Sequence, residues 1–247
     1  MINIQRNARY LKLPYTSNNY ENIIKDAELN EMTITEFLSS LLENEAELRK
    51  DNGVSNKIRL AKFNQKLYLE DFIIDDYDAP QRKIIKELMT LDFISNKQNV
   101  IMFGNPGVGK THLATGLGLK TCLENKKVLF VSVPNLMIEI KEQMNLNQLN
   151  RYRKKFEKYD LVILDEMGYV SFDKDISEIL FNLLSNRNQK GSTIITTNLT
   201  FDRWNEIFKD QVLTTAIIDR LAYKAHMLDL SGQSYRAKET MKWIDQR

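Results

Sequence analysis

Between residues 34 and 48 apolar side chains recur at intervals of three and four: Ile34, Phe37, Leu38, Leu41, Leu42 and Leu48. That spacing places them on one face of a helix. Thr33 followed by Glu36 predicts where the helix starts, as a capping box in which each side chain satisfies the other residue's backbone N–H. Asn52-Gly53 predicts where it stops. A second helical period runs from Arg82 to Phe93, and there the pattern changes. Short apolar runs follow at Val100–Phe103, Val128–Val133, Leu161–Leu164 and Ser192–Thr197, the last centred on Ile194-Ile195. Helix-length stretches separate them, the first continuing from Thr111 through Cys122. Runs that are apolar at successive positions are strands buried on both faces. Their alternation with helices predicts an α/β fold with a parallel sheet covered on both sides.

Composition narrows this reading without changing it. Of the 247 residues 43% are apolar and 28% charged, enough for a packed core. Lys+Arg minus Asp+Glu is 35 − 33 = +2, so any affinity for nucleic acid has to come from local clusters. One such cluster runs from Arg49 to Lys66, where Arg49, Lys50, Lys57, Arg59, Lys62 and Lys66 meet only one acid, Asp51. The acidic stretch Glu70–Asp76 and then Pro80 follow, which predicts a junction. A small all-helical N-terminal domain, residues 1–66, would bind DNA or a partner, and residues 67–247 would form the larger domain. Cys122 is the single cysteine, which excludes an internal disulfide and a paired-thiolate zinc site, and it reads as a small buried apolar residue. His112 and His226 are too few for a histidine-rich metal centre. No apolar run approaches the roughly 20 residues that span a bilayer, and the polar start does not read as a secretory signal. The expectation is a cytoplasmic chain with no membrane partner.

The chemistry begins at Gly104-Asn105-Pro106-Gly107-Val108-Gly109-Lys110-Thr111, which satisfies G-x-x-x-x-G-K-[ST] between a predicted strand and a predicted helix. A chance match in a chain of this length is on the order of one per cent, and the flanking elements lower that further. Glycines here let successive N–H groups converge on an anion, and the following helix adds its positive end. Lys110 would reach the β- and γ-phosphates of a nucleotide, and the Thr111 hydroxyl would ligate Mg²⁺. His112 would lie beside the nucleotide or pack against the sheet. Downstream, the run Leu161–Leu164 ends in Asp165 and Glu166. The first would hold Mg²⁺ through its water shell, and the second would orient or polarise the attacking water. Asn198, at the end of Ser192–Thr197, would hydrogen-bond that water and the γ-phosphate. Parallel strands deliver their C-terminal residues to the same edge as the phosphate loop. Phe72 and Tyr77, where the chain enters this domain, would either stack on adenine or pack into the core.

Phosphate loop, Asp-Glu strand end and Thr-Thr-Asn strand end, in that order, resemble an AAA+ ATPase. The string Gly-Val-Gly-Lys-Thr-His-Leu-Ala (107–114), with Asp165-Glu166-Met167-Gly168-Tyr169, is similar to the IstB/DnaC-like group. That group holds transposition helper ATPases and bacterial replicative helicase loaders. The segment Ile217-Ile218-Asp219-Arg220-Leu221 resembles the region carrying the group's arginine finger, and Ser234-Tyr235-Arg236 resembles its shared C-terminal stretch. The likeness covers about residues 60–240. It implies a five-stranded AAA+ sheet whose last strand lies near Ala225–Leu230, and an extra helical segment within 134–160. That segment ends in Arg151, Arg153, Lys154, Lys155 and Lys158, interleaved with Tyr152 and Phe156. Bases with aromatics suit a phosphate backbone. A solvated helix face carrying two core aromatics fits equally. The chain ends soon after the fifth strand, so the helical lid of many AAA+ proteins is expected to be missing, and Arg236, a candidate second nucleotide sensor, would lack that lid.

The resemblance implies that ATP and Mg²⁺ are the ligands and that Arg220 completes the site of a neighbouring copy in a homo-oligomer. The function it implies first is an ATPase that assembles on duplex DNA and assists or regulates a transposase. The alternative is a loader that binds a replicative helicase. A metabolic phosphoryl-transfer kinase would need an arginine-bearing lid and an acceptor pocket, and neither is legible.

Overall fold

Among the described residues, three helices begin within residues 1–56, the first of two units into which the chain divides: α1 (Ile4–Tyr10), α2 (Pro14–Leu29) and α3 (Ile34–Leu60). They are described here from a computed structural model covering residues 3–232 and 234–245. The capping box at the start of α3 forms, with the Thr33 N–H donating to Glu36 Oε2 at 2.8 Å and the Glu36 N–H to Thr33 Oγ1 at 3.3 Å. Leu13 offers α2 no side-chain cap, and Pro14 stands in its first turn. The cap comes instead from α3: the buried Glu45 carboxylate accepts the Thr16 N–H at 3.0 Å and its hydroxyl at 3.1 Å. A negative group at a helix N-terminus also meets the helix dipole favourably.

Two expectations for α3 need correction. The predicted apolar face is only half used: Phe37, Leu41 and Leu48 are half-buried, whereas Ile34 (83%), Leu38 (50%) and Leu42 (57%) remain exposed. Asn52-Gly53 does not stop the helix, which runs on to Leu60. A mid-helix glycine costs about 1 kcal/mol, and burial just beyond offsets it. Ala61 is fully buried, and Ile58 packs on the same cluster.

The second unit, residues 57–247, starts upstream of the junction expected after residue 66. The intervening residues belong to its packing. The Ala61 carbonyl accepts the Phe130 N–H at 2.8 Å, the Phe63 and Phe130 rings lie 5.8 Å apart, and Lys62 pairs with Glu139 at 2.6 Å. After two short 3-10 turns at 69–71 and 74–76 come α4 (Ala79–Met89), α5 (Asp92–Ser95), β1 (Val100–Phe103), α6 (Lys110–Leu123), β2 (Val128–Ser132), α7 (Val133–Asn145), α8 (Leu149–Phe156), β3 (Leu161–Met167), α9 (Lys174–Arg187), β4 (Ser192–Thr197), α10 (Asn205–Phe208), α11 (Gln211–Ala222), β5 (His226–Asp229) and α12 (Tyr235–Asp245). The five strands are all parallel, in the order β2-β3-β4-β1-β5.

Side chains alternate between two cores. Ile101, Val162, Leu164 and Ile195 join the layer with Leu136, Leu180 and Ile217. Val100, Met102, Leu161, Ile163 and Leu228 join the layer with Ile85, Leu113 and Leu117. Cys122 lies in the second layer as expected, and burial pushes its thiol up to about 11. The shared direction of the five parallel strands sends their C-terminal ends to one edge, where the loops after β1, β3 and β4 meet.

The basic segment divides by face. Phe156 is buried, and the half-buried Tyr152 donates to Glu139 at 3.0 Å, so neither aromatic is available for stacking on a base. Arg151, Lys154, Lys155 and Lys158 are exposed at helical spacing on the other side. Arg187 anchors the end of this segment. Its buried guanidinium donates to the carbonyls of Phe156 (2.8 Å), Tyr159 (2.9 Å) and Ser192 (2.9 Å), and burial lowers it to about 10. Among the described residues no helix is long and apolar enough to cross a membrane.

Candidate nucleotide site

A cleft of about 660 Å³ opens at the C-terminal edge of the sheet, within the usual size range of small-molecule sites. One wall is the phosphate loop. Gly104, Gly107 and Gly109 have φ of 142°, 84° and 89°, where side chains are strained. Space is closed as well at Gly104, where a Cβ would lie 2.9 Å from the Leu230 backbone. At Gly109 it would lie 2.7 Å from Tyr77 Oη. Lys110 opens α6, and its Nζ donates to the carbonyls of Gly104 (2.6 Å) and Asn105 (2.8 Å). Residues 106–112 line the cleft, whereas Gly104 and Asn105 shape the loop behind its lining.

The opposite wall carries oxygen. Thr111 Oγ1 donates to the Asp165 carboxylate at 3.0 and 3.2 Å, bringing the helix start and the β3 end together. Asp165 is buried, and Glu166 beside it is exposed to the cleft. Glu166 has φ of 65°, a conformation that costs a non-glycine residue about 1–3 kcal/mol. Asn198 also lines the cleft. Its Oδ1 lies 2.8 Å from where a Cβ of Gly168 would stand, so the glycine lets the β3 and β4 ends approach.

The third wall is the acidic stretch that reads from sequence as a junction. Asp71, Phe72, Ile73, Asp76 and Tyr77 all line the cleft. Phe72 and Tyr77 stack on each other, with centroids 5.4 Å apart and planes at 12°. Tyr77 Oη donates to the Val108 carbonyl at 2.7 Å, and burial, with Asp76 adding to it, pushes the phenol up to about 12. His112 serves this wall too: its Nε2 is 2.8 Å from the Tyr68 carbonyl and its ring meets Phe72 edge-on.

Lys110, Thr111, Asp165, Glu166 and Asn198 are thus brought to one cleft. Arg220 is not among the residues lining it. It is exposed on α11, with its guanidinium 4.6 Å over the Phe181 ring. The side chain of Arg236 lies outside those described, whereas the Tyr235 N–H donates to the Gly107 carbonyl at 3.0 Å. Sequence reasoning missed Thr196, whose hydroxyl donates to Asp165 Oδ1 at 2.5 Å and accepts the Glu166 N–H at 3.0 Å. Its signal was present: a hydroxyl in a fully buried central strand has to find partners.

The model of the IstB-like ATP binding protein family matches residues 6–242. The chain belongs to this IstB-like family. It is 35% identical over 232 residues to a putative ATP-binding protein of insertion sequence IS21 from Pseudomonas aeruginosa, covering 94% of this chain and 88% of the relative. To a putative ATP-binding protein of insertion sequence IS232 from Bacillus thuringiensis subsp. berliner it is 31% identical, covering 94% and 93%. Among solved structures, that of the DnaC helicase loader superposes with a TM-score of 0.54 at 18% identity, over 66% of this chain and 96% of the other. At that identity the likeness is one of fold, the AAA+ phosphate-loop fold. The IstB-like match extends through both units of the chain, and the fold match covers a smaller share of it.

Proposed function

We propose that this protein is an ATPase that hydrolyses ATP in the cleft, assembles on duplex DNA and assists a transposase. The observation that carries the reading is the convergence of Lys110, Thr111, Asp165, Glu166 and Asn198 on one cleft, in a chain related to insertion-sequence ATP-binding proteins. The backbone N–H groups of 107–110 and the Lys110 ammonium bind and orient the triphosphate. The donor set suits Mg²⁺. The Thr111 hydroxyl and Asp165 carboxylate are hard oxygen ligands 3.0 Å apart, and the described residues hold no cluster of three metal-ligating side chains. Mg²⁺ is commonly held by one or two carboxylates plus substrate phosphates and not by an all-protein cage. When bound, it would neutralise charge developing on the phosphate oxygens. Glu166 orients the attacking water and takes up its proton at the carboxylate, and Asn198 donates its amide N–H to the γ-phosphate.

Arg220, exposed and outside its own cleft, supplies the missing positive charge to the nucleotide of an adjacent copy. Hydrolysis then reports assembly. The exposed bases Arg151, Lys154, Lys155 and Lys158 contact DNA phosphates, a sequence-independent and salt-sensitive mode of binding. The test is ATP turnover against protein concentration, with and without duplex DNA. Turnover per subunit should rise cooperatively with concentration and DNA, and Arg220→Ala should lower the stimulated rate about 10³–10⁵-fold. Concentration-independent turnover that ignores DNA would refute the assembly reading. A stoichiometric complex with a replicative helicase would turn it toward a loader.

A further inference from the structure

β3 and β4 lose register where the two acids stand. Leu164 pairs with Ile195 and Met167 with Thr197, so Asp165 and Glu166 together face one residue, Thr196. A bulge of this kind redirects a side chain and interrupts the ladder. The Thr196 hydroxyl bridges the interruption, accepting the Glu166 N–H at 3.0 Å and donating to Asp165 Oδ1 at 2.5 Å. It is buried, so water does not readily replace it. Among the described residues, every other non-glycine position with positive φ follows a helix end, where that conformation is ordinary. Glu166 alone adopts it inside a strand, and its N–H is the group that Thr196 holds.

We propose that Thr196 is a positioning residue whose single hydroxyl fixes Asp165 and Glu166 relative to each other in the arrangement that hydrolysis requires. One oxygen ties the carboxylate joined to Thr111 to the backbone that aims the neighbouring carboxylate into the cleft. Valine has the same shape and supplies neither bond, whereas serine supplies both. The catalytic part rests on the roles given above to Asp165 and Glu166, and the conformational part does not.

The test compares Thr196→Val and Thr196→Ser by ATP kinetics across Mg²⁺ concentrations and by NMR amide hydrogen exchange of the full chain without nucleotide. Valine should lower kcat about 10–100-fold, as loss of an outer partner of a metal ligand does, and should raise the Mg²⁺ needed for half-activation. The KM for ATP should stay near wild type. Loss of its hydrogen bond should speed exchange at the Glu166 amide about fivefold. Serine should restore both readouts. Unchanged exchange at Glu166 in the valine variant overturns the inference whatever the turnover. A serine variant as slow as the valine one also overturns it, because shape and not the hydroxyl would then matter. Should wild type fail to hydrolyse ATP, the ATPase reading falls while the exchange result still decides the positioning role. If valine prevents folding, Thr196→Ala makes the same comparison.

Discussion

The two halves of the cleft are built by different means. The phosphate-loop half is made mainly of backbone: three glycines at positive φ, the N–H groups of 107–110 and one ammonium, braced by Tyr77 and Leu230. The acidic half is made of side chains, Asp165, Glu166, Thr111, Thr196 and Asn198, set by a bulge in the sheet. A backbone cradle binds what it fits regardless of the step under way. A set of aimed side chains acts on the bond that changes. Substitutions in the two halves should therefore separate binding from turnover.

The largest expected separation is at Glu166. Replacing Glu166 by Gln removes the proposed base and keeps the shape, and should lower kcat about 10²–10⁴-fold while a fluorescent ATP analogue still binds with near wild-type affinity. A matching fall in affinity would mean that the halves are not separable. Lys110→Ala should do the converse at smaller scale. Loss of a charge-assisted phosphate contact is worth about 1.5–3 kcal/mol, a rise in Kd of about 10–100-fold readable in the same titration.

The smallest effect concerns the brace that holds the loop. An unfolded tyrosine ionises near 10, and Tyr77 in the fold near 12. Between those values the unfolded chain has lost a proton that the folded one retains, so stability falls as pH rises from about 10 toward 12. Tyr77→Phe should be less stable at neutral pH by about 1 kcal/mol, the worth of its bond to Val108. That deficit should shrink above pH 10, which melting curves at pH 8 and pH 11 will test.

The phosphate loop and the strand that ends in Asp-Glu were legible because local spacing determines them. A G-x-x-x-x-G-K-T string between a strand and a helix, and an apolar run ending in acids, need no long-range information. The acidic stretch at 70–76 was harder, since its charges suggest a surface junction. Its place in the cleft wall comes from Phe72 and Tyr77 folding against Gly109, a contact across about 35 residues of chain that no periodicity records. The helix stop at Gly53 failed for a related reason. Local propensity favoured a break, and tertiary burial of Ile58 and Ala61 overrode it. Tyr152 and Phe156 had two readings, and only the path of α8 beneath Arg187 decided between them.

The outer border of the sheet has a practical consequence. β2 is an edge strand, and the Ala61 carbonyl occupies the outward N–H of Phe130. Exposed borders of this kind invite a foreign chain to zip on, the first step toward insoluble aggregates. A shortened version of the protein beginning after residue 63 would keep every group of the cleft's acidic half yet strip the guard from that border. Anyone isolating the second unit for crystallisation should retain Ala61 and the end of α3 before it, or accept a sample that clouds on concentration.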